Sequence, residues 1–237
     1  MIRFQAVSKA FNGQYVLRDL SFDIQSEECV SIIGPSGVGK TTLLRLITRA
    51  IKPDAGVVQV SESRLGHIFQ EPRLLPWRTA LDNISIGLRA EGKDKKTANT
   101  IAREWIKRLG LYGFEEYYPS QLSGGMQQRV SIGRALAIDP ELLVMDEPFS
   151  HLDVELKDSL LDIMEGLIAE YHPTVVYVTH DLLEALRLSH RIFRLSPDFK
   201  LEELDLSDRE GIILEHVFKQ SRKLNGQKHK VNQENTG

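Results

Sequence analysis

The amino-acid order predicts an α/β domain interrupted by an inserted helical block, and three observations predict it. Short apolar strands alternate along the chain with segments of helical period. A mostly helical stretch, residues 79–138, separates the early strands from the late ones. The two late strands, Leu142–Met145 and Thr174–Val178, each stop just before a polar cluster.

Taken in order, Met1–Val7 and Val16–Ile24 carry an apolar residue at nearly every second position, with a polar turn, Asn12-Gly13-Gln14, between them. Cys29–Ile33 is a short apolar strand ending at a glycine-rich turn. From Lys40 the period changes: Leu43, Leu44, Ile47 and Ile51 fall on one helical face, which Lys52-Pro53-Asp54-Ala55-Gly56 closes with a proline and a turn. Leu65–Phe69 is a further strand, and the proline-rich Glu71–Trp77 reads as loop. Inside the helical block, Thr97–Leu109 shows a polar face of Arg103, Glu104, Lys107 and Arg108. Val154–Ala169, between the late strands, has the pattern of an amphipathic helix. Ser207-Asp208-Arg209-Glu210 has the form of a capping box ahead of Ile212, Ile213 and Val217, which predicts a short terminal helix. Residues 221–237 are polar and almost free of large apolar side chains, the composition of a disordered tail. No internal repeat is present.

Composition narrows the class. The 237 residues are 27% charged and 41% hydrophobic, enough for one large domain. Thirty basic against thirty-three acidic side chains give a net charge of −3. That balance lacks the clustered basic excess of a nucleic-acid binder, so no nucleic acid is expected as a partner. No apolar run reaches the ~20 residues of a membrane-spanning helix. The opening MIRFQAVSKAF lacks the layout of a signal peptide, so the expected compartment is the cytoplasm. The single cysteine, Cys29, excludes internal disulfides and Cys-cluster metal sites.

The chemistry begins at Gly34-Pro35-Ser36-Gly37-Val38-Gly39-Lys40-Thr41, which satisfies G-x-x-x-x-G-K-[ST] after an apolar strand and before a helix. The glycines let successive N–H groups turn inward around a polyphosphate, and the helix adds its positive end. Lys40 supplies a point charge for the β- and γ-phosphates, the Thr41 hydroxyl is a ligand for Mg²⁺, and Thr42 continues the cradle. Leu142-Leu143-Val144-Met145-Asp146-Glu147 supplies the second half. An apolar strand delivers Asp146 to the Mg²⁺ shell, and Glu147 is the natural general base for water. The sequence therefore predicts a nucleoside triphosphate site; kinases, GTPases, helicases and transport ATPases all remain open at this point.

Leu122-Ser123-Gly124-Gly125-Met126-Gln127 resembles the signature of ATP-binding cassette (ABC) ATPases. Ser123 and the backbone of Gly124 and Gly125 open a helix and so form a second anion-binding end. The resemblance covers residues 2–196 and implies a mixed sheet core with an antiparallel β subdomain and an inserted helical subdomain at about 72–138. Residues 197–220 are then a short extension. The same resemblance matches Gln70 to the loop glutamine that joins core and helical subdomain and reaches the Mg²⁺. It matches Asp153 to the aspartate after the Asp–Glu strand, His180 to the switch histidine that contacts the γ-phosphate, and Phe11 to the aromatic that stacks on adenine. It implies ATP and Mg²⁺ as cofactors and a head-to-tail homodimer. In that dimer Ser123–Gly125 of one chain close over the ATP held by the other. Two departures stand out: Phe11 where tyrosine is commoner, and His151 where a small residue is usual.

What such an ATPase drives is open between membrane transport, soluble work on nucleic acid or ribosomes, and regulation without turnover. Only about 52 residues separate Gln70 from Leu122, with neither heptads nor a Cys cluster, and there is one cassette. That layout resembles the ATPase subunit of a bacterial importer, seated on the cytoplasmic face of the membrane. It implies separate permease subunits and a periplasmic or extracellular substrate-binding protein. Gln70-Glu71-Pro72-Arg73-Leu74-Leu75-Pro76-Trp77 resembles the segment of the nitrate/sulfonate/taurine importers. Leu74, Leu75 and Trp77 are expected at the permease contact, or else packed into the helical subdomain. Related chains also serve thiamine precursors.

Overall fold

The computed structural model describes residues 1–209 and 211–213. Among them, nine strands form two sheets, with six α-helices packed around the larger one.

The small sheet is antiparallel, in the order β2 (Gln14–Ile24), β1 (Ile2–Phe11), β4 (Ala55–Val60). The first two strands run longer than the alternation predicts. They meet at a two-residue turn, Asn12-Gly13, where both φ angles are positive (51° and 78°), as a primed hairpin turn requires. Register shifts after Phe4, Val7 and Lys9 explain why the pattern faded. The buried positions Ile2, Phe4 and Val7 change parity at the first of these shifts, which keeps Val7 on the inner face. The strand Ala55–Val60, whose first two residues fall in the turn predicted at 52–56, is an edge strand with mostly exposed side chains.

The large sheet has the order β5 (Leu65–Ile68), β6 (Leu142–Asp146), β7 (Thr174–Thr179), β3 (Cys29–Ile33), β8 (Arg191–Leu195), β9 (Leu201–Glu203). Every pair is parallel except the last, which is antiparallel. Both faces are covered, which explains the continuous apolar runs. Leu143, Met145, Val175 and Tyr177 face one core with α2 (Ala80–Ala90), α3 (Lys95–Arg108), α4 (Gly124–Leu136) and α5 (Val154–Tyr171). Their neighbours Leu142, Val144, Val176 and Val178 face a second core, built from α1 (Lys40–Ile47) and the small sheet. The short α6 (Leu182–Leu188) covers Ile33 and Ile192.

The first strand of the parallel run, β3, lies between β7 and β8, so the chain fills the sheet on both sides of it. The carboxyl ends of β3, β6 and β7 therefore converge on one edge, the usual place for a ligand in such sheets. No helix among the described residues is long and apolar enough to cross a membrane.

At the chain end, Arg209 and Gly211–Ile213 are helical. Asp208, one residue later than the capping box predicts, accepts from Gly211 N–H at 2.9 Å. Val217 and the tail expected at 221–237 lie outside the described residues.

Candidate functional site

The strand β3 ends in a turn that is pressed against β8. A Cβ on Gly34 would stand 2.4 Å from the Leu195 carbonyl oxygen, so only glycine fits. The loop continues to Gly39, at φ 113°, which is the N-cap of α1. This N-cap is singular: α2, α3, α4, α5 and α6 are capped by the side chains of Thr79, Asp94, Ser123, Asp153 and Asp181, whereas α1 has none. Its leading N–H groups are left to an external anion.

Beside that end lies a cleft of about 420 Å³ lined by Ser36, Gly37, Gly39, Lys40, Thr41, Thr42, Gln70, Asp146 and Glu147. Val16 lines it too, a position that nothing in the sequence pattern marks. Lys40 is buried, and its ammonium donates to the carbonyls of Gly34 (2.8 Å) and Pro35 (3.1 Å). It also lies 3.1 Å from Glu147 Oε1. Thr41 Oγ1 donates to Asp146 Oδ1 at 3.2 Å. A hydroxyl and a carboxylate side by side are hard oxygen donors, which fits Mg²⁺.

Glu147 follows β6 with a left-handed backbone, φ 45°, held by its N–H donating to Val178 O at 2.9 Å. The second carboxylate oxygen lies 2.7 Å from His180 Nδ1, just past the end of β7. Burial alone would raise this carboxyl, but the hydrogen bonds from His180 and Lys40, with the Lys40 charge, hold it below the usual range. Asp146 goes the other way. Burial raises it, the neighbouring Glu147 adds to the rise, and the Thr41 hydrogen bond and Lys40 only partly oppose them. Adjacent carboxyls thus shift in opposite directions, Glu147 toward the ionised form and Asp146 toward the protonated one.

Gln70 lines the cleft with its amide turned aside, 3.2 Å from Ser150 Oγ and 3.0 Å from His151 Nε2. Phe11, Val38, Ser123, Gly124, Gly125 and Asp153 do not line the cleft, and Gly34, Pro35 and His180 line an adjacent pocket instead. Phe11 is 43% exposed at the hairpin tip. Ser123 Oγ accepts from Met126 N–H at 3.3 Å, and Asp153 Oδ1 from Leu156 N–H at 2.9 Å. These two helix starts abut, since a Cβ on Gly125 would come within 2.5 Å of Leu156. Of the apolar residues expected together at 74–77, Leu74 packs on the helical core and Leu75 is half-buried, so Trp77 alone is exposed.

Many NTPases place a P-loop beside an Asp–Glu strand end. A helical layer inserted between β5 and β6, with its last helix opened by Ser123-Gly124-Gly125, is the arrangement of an ABC ATPase cassette. Residues 17–150 match the ABC transporter family, and the chain belongs to it. It is similar to the taurine import ATP-binding protein TauB of Escherichia coli (strain K12), 38% identical over 216 residues, covering 87% of this chain and 85% of that protein. The formylaminopyrimidine import ATP-binding protein ThiZ of Halalkalibacterium halodurans is 43% identical over 195 residues, 81% of this chain and 78% of that one. Among solved structures, a dimeric ATP-binding cassette in a post-hydrolysis state bound to ADP and Pi superposes with a TM-score of 0.78. It is 32% identical and covers 87% of this chain and 99% of that chain.

Proposed function

We propose that the chain hydrolyses ATP to power a solute importer of the nitrate/sulfonate/taurine type, acting on a separate permease at the cytoplasmic face of the membrane. The observation that carries the ATPase reading is Glu147, ionised, flanked by Lys40 and His180, at the mouth of a phosphate cradle whose helix has no cap of its own. On this reading, arriving phosphates draw the Lys40 ammonium away from Glu147. The freed carboxylate accepts the proton of the attacking water, while His180 and Gln70 contact the γ-phosphate. Thr41, Asp146 and Gln70 would hold Mg²⁺, which when bound offsets the phosphate charge. Ser123, Gly124, Gly125 and Asp153 of a second copy close the site, and Phe11 supplies a face for adenine.

The cargo rests on two supports, the taurine import relatives and the Gln70–Trp77 segment. Permease contact through that segment, and a substrate-binding protein outside the membrane, belong to the same reading. A thiamine-precursor cargo is the second reading, favoured by the formylaminopyrimidine import relative. Deleting the gene separates them: lost growth on taurine as sulfur source supports the first, and lost use of a formylaminopyrimidine supports the second.

Glu147→Gln is expected to keep ATP binding and lower hydrolysis by about 10²–10⁴-fold. Lys40→Ala is expected to lose tight ATP binding. Phosphate release at the wild-type rate from Glu147→Gln would remove the base assignment, and unchanged affinity in Lys40→Ala would remove the cradle.

A further inference from the structure

Behind His180 lies a buried polar network outside the cleft. Glu184, in the first turn of α6, has a side chain only 5% exposed. One of its oxygens accepts from the Tyr177 hydroxyl and from Thr179 Oγ1, the latter at 2.8 Å. The other lies 3.1 Å from Lys157 Nζ. That ammonium also donates to Asp181 Oδ2 at 2.9 Å. Asp181 caps α6 through its other oxygen, and its N–H donates to Thr179 Oγ1 at 3.0 Å. The residues on either side of His180 are thus held, directly or through Glu184, by one ammonium.

Lys157 itself sits in the first turns of α5, where its N–H donates to the Asp153 carbonyl at 2.9 Å. Asp153 is the N-cap of that helix. Neither Lys157, Tyr177 nor Glu184 lines the nucleotide cleft. One cation serves two carboxylates, Glu184 buried and Asp181 half-buried, so removing the ammonium would leave the buried one without its charge partner. The ammonium's geometric effect is to fix loop 179–181, whose imidazole is 2.7 Å from Glu147.

We infer that Lys157 is a positioning residue for hydrolysis, joining the helix capped by Asp153 to the loop that carries His180. A shift at the start of α5 is then passed through the ammonium to His180 and so to Glu147. The inference rests on the ATPase reading of the site and adds to it the element that aligns the base.

The test uses the full chain. Lys157→Met keeps the aliphatic stem and removes the charge. Its kcat for ATP is expected to fall by about 10–100-fold, the scale of a slightly misplaced group, while KM and the Kd for ATP change less than about threefold. Lys157→Arg is expected to recover most of kcat. Lys157→Met combined with Glu184→Gln removes one charge of each sign and is expected to regain thermal stability without regaining kcat.

Wild-type kcat in Lys157→Met, a loss of ATP affinity equal to the loss of kcat, or kcat restored along with stability in the double variant would each overturn the inference. So would a Lys157→Arg variant no better than Lys157→Met. Glu147→Gln run alongside separates the two readings. If it hydrolyses normally, the site assignment fails; if it is dead while Lys157→Met is normal, only the role of Lys157 fails.

Discussion

His67 shows how far one residue's surroundings reset its chemistry. Burial first, and then the charges of Arg73 and Arg134, push its imidazole from 6.5 down to about 4, and the ring stacks on Phe69 at 3.7 Å. The folded chain therefore refuses a proton that the unfolded chain accepts between about pH 6.5 and 4. The stability tied to neutral His67 is complete above that window and is lost as pH falls through it. His67→Phe keeps the stack and removes the titration. Its melting temperature is expected to drop less than that of the wild type on going from about pH 7 to about pH 4.5, and an equal drop would contradict the assignment. Residues of the cradle are legible because Gly34–Thr41 are contiguous and its fixed positions, Gly34, Gly39, Lys40 and Thr41, each have a physical reason to be there. Lys157, Asp181 and Glu184 are not, since each is an ordinary surface-type residue until the fold brings the three together. His151 is unusual in sequence already, but its bond to Gln70 depends on two loops that only the sheet brings side by side.

At the scale of elements, what the sequence revealed follows burial. Cys29–Ile33, Leu142–Asp146 and Thr174–Thr179 lie inside the large sheet, and their unbroken apolar runs announce it. Arg191–Leu195, Leu201–Glu203 and Ala55–Val60 carry no such signal, and neither does the seven-residue Leu182–Leu188. Two of the four edge strands, Ala55–Val60 and Leu201–Glu203, are mostly solvent-facing, so neighbours specify them more than their own pattern does. Arg191–Leu195 is short, and arginines break its apolar run. The edge strand Ala55–Val60 nevertheless has a strict requirement at Gly56. Its φ is 80°, and an added Cβ would lie 2.3 Å from Ala6 O and 2.4 Å from Gln5 O, at the shift in the β1 ladder. Gly56→Ala is expected to cost more than about 1 kcal/mol, from the left-handed backbone alone, with the clash added. Denaturant unfolding reads it directly, and an unchanged midpoint would mean that the bulge yields freely.

At the scale of the whole molecule, the cleft holds only part of what the family pattern requires. Ser123 and Asp153 start neighbouring helices away from it, so the proposed roles of both residues require a second copy. The Glu147→Gln chain is expected to double its mass on light scattering when ATP and Mg²⁺ are added, and Ser123→Arg in that background to stay single. A nucleotide-loaded Glu147→Gln chain that remains a monomer at all concentrations would count against the head-to-tail arrangement. The α/β class and the inserted helices were readable from period and order. The split into two sheets was not readable from the residues themselves, because it depends on long-range pairing such as Ile2 with Val60.

The bare N-terminus of α1 has a consequence for the lifetime of the chain in a cell. A ligand that binds only the folded form at a hundred times its Kd adds about 2.7 kcal/mol to the folding free energy. With the cradle filled by a nucleotide, the folded chain would therefore open less often to proteases than with the cradle empty. Its lifetime would then depend on whether any nucleotide is bound, whichever nucleotide that is.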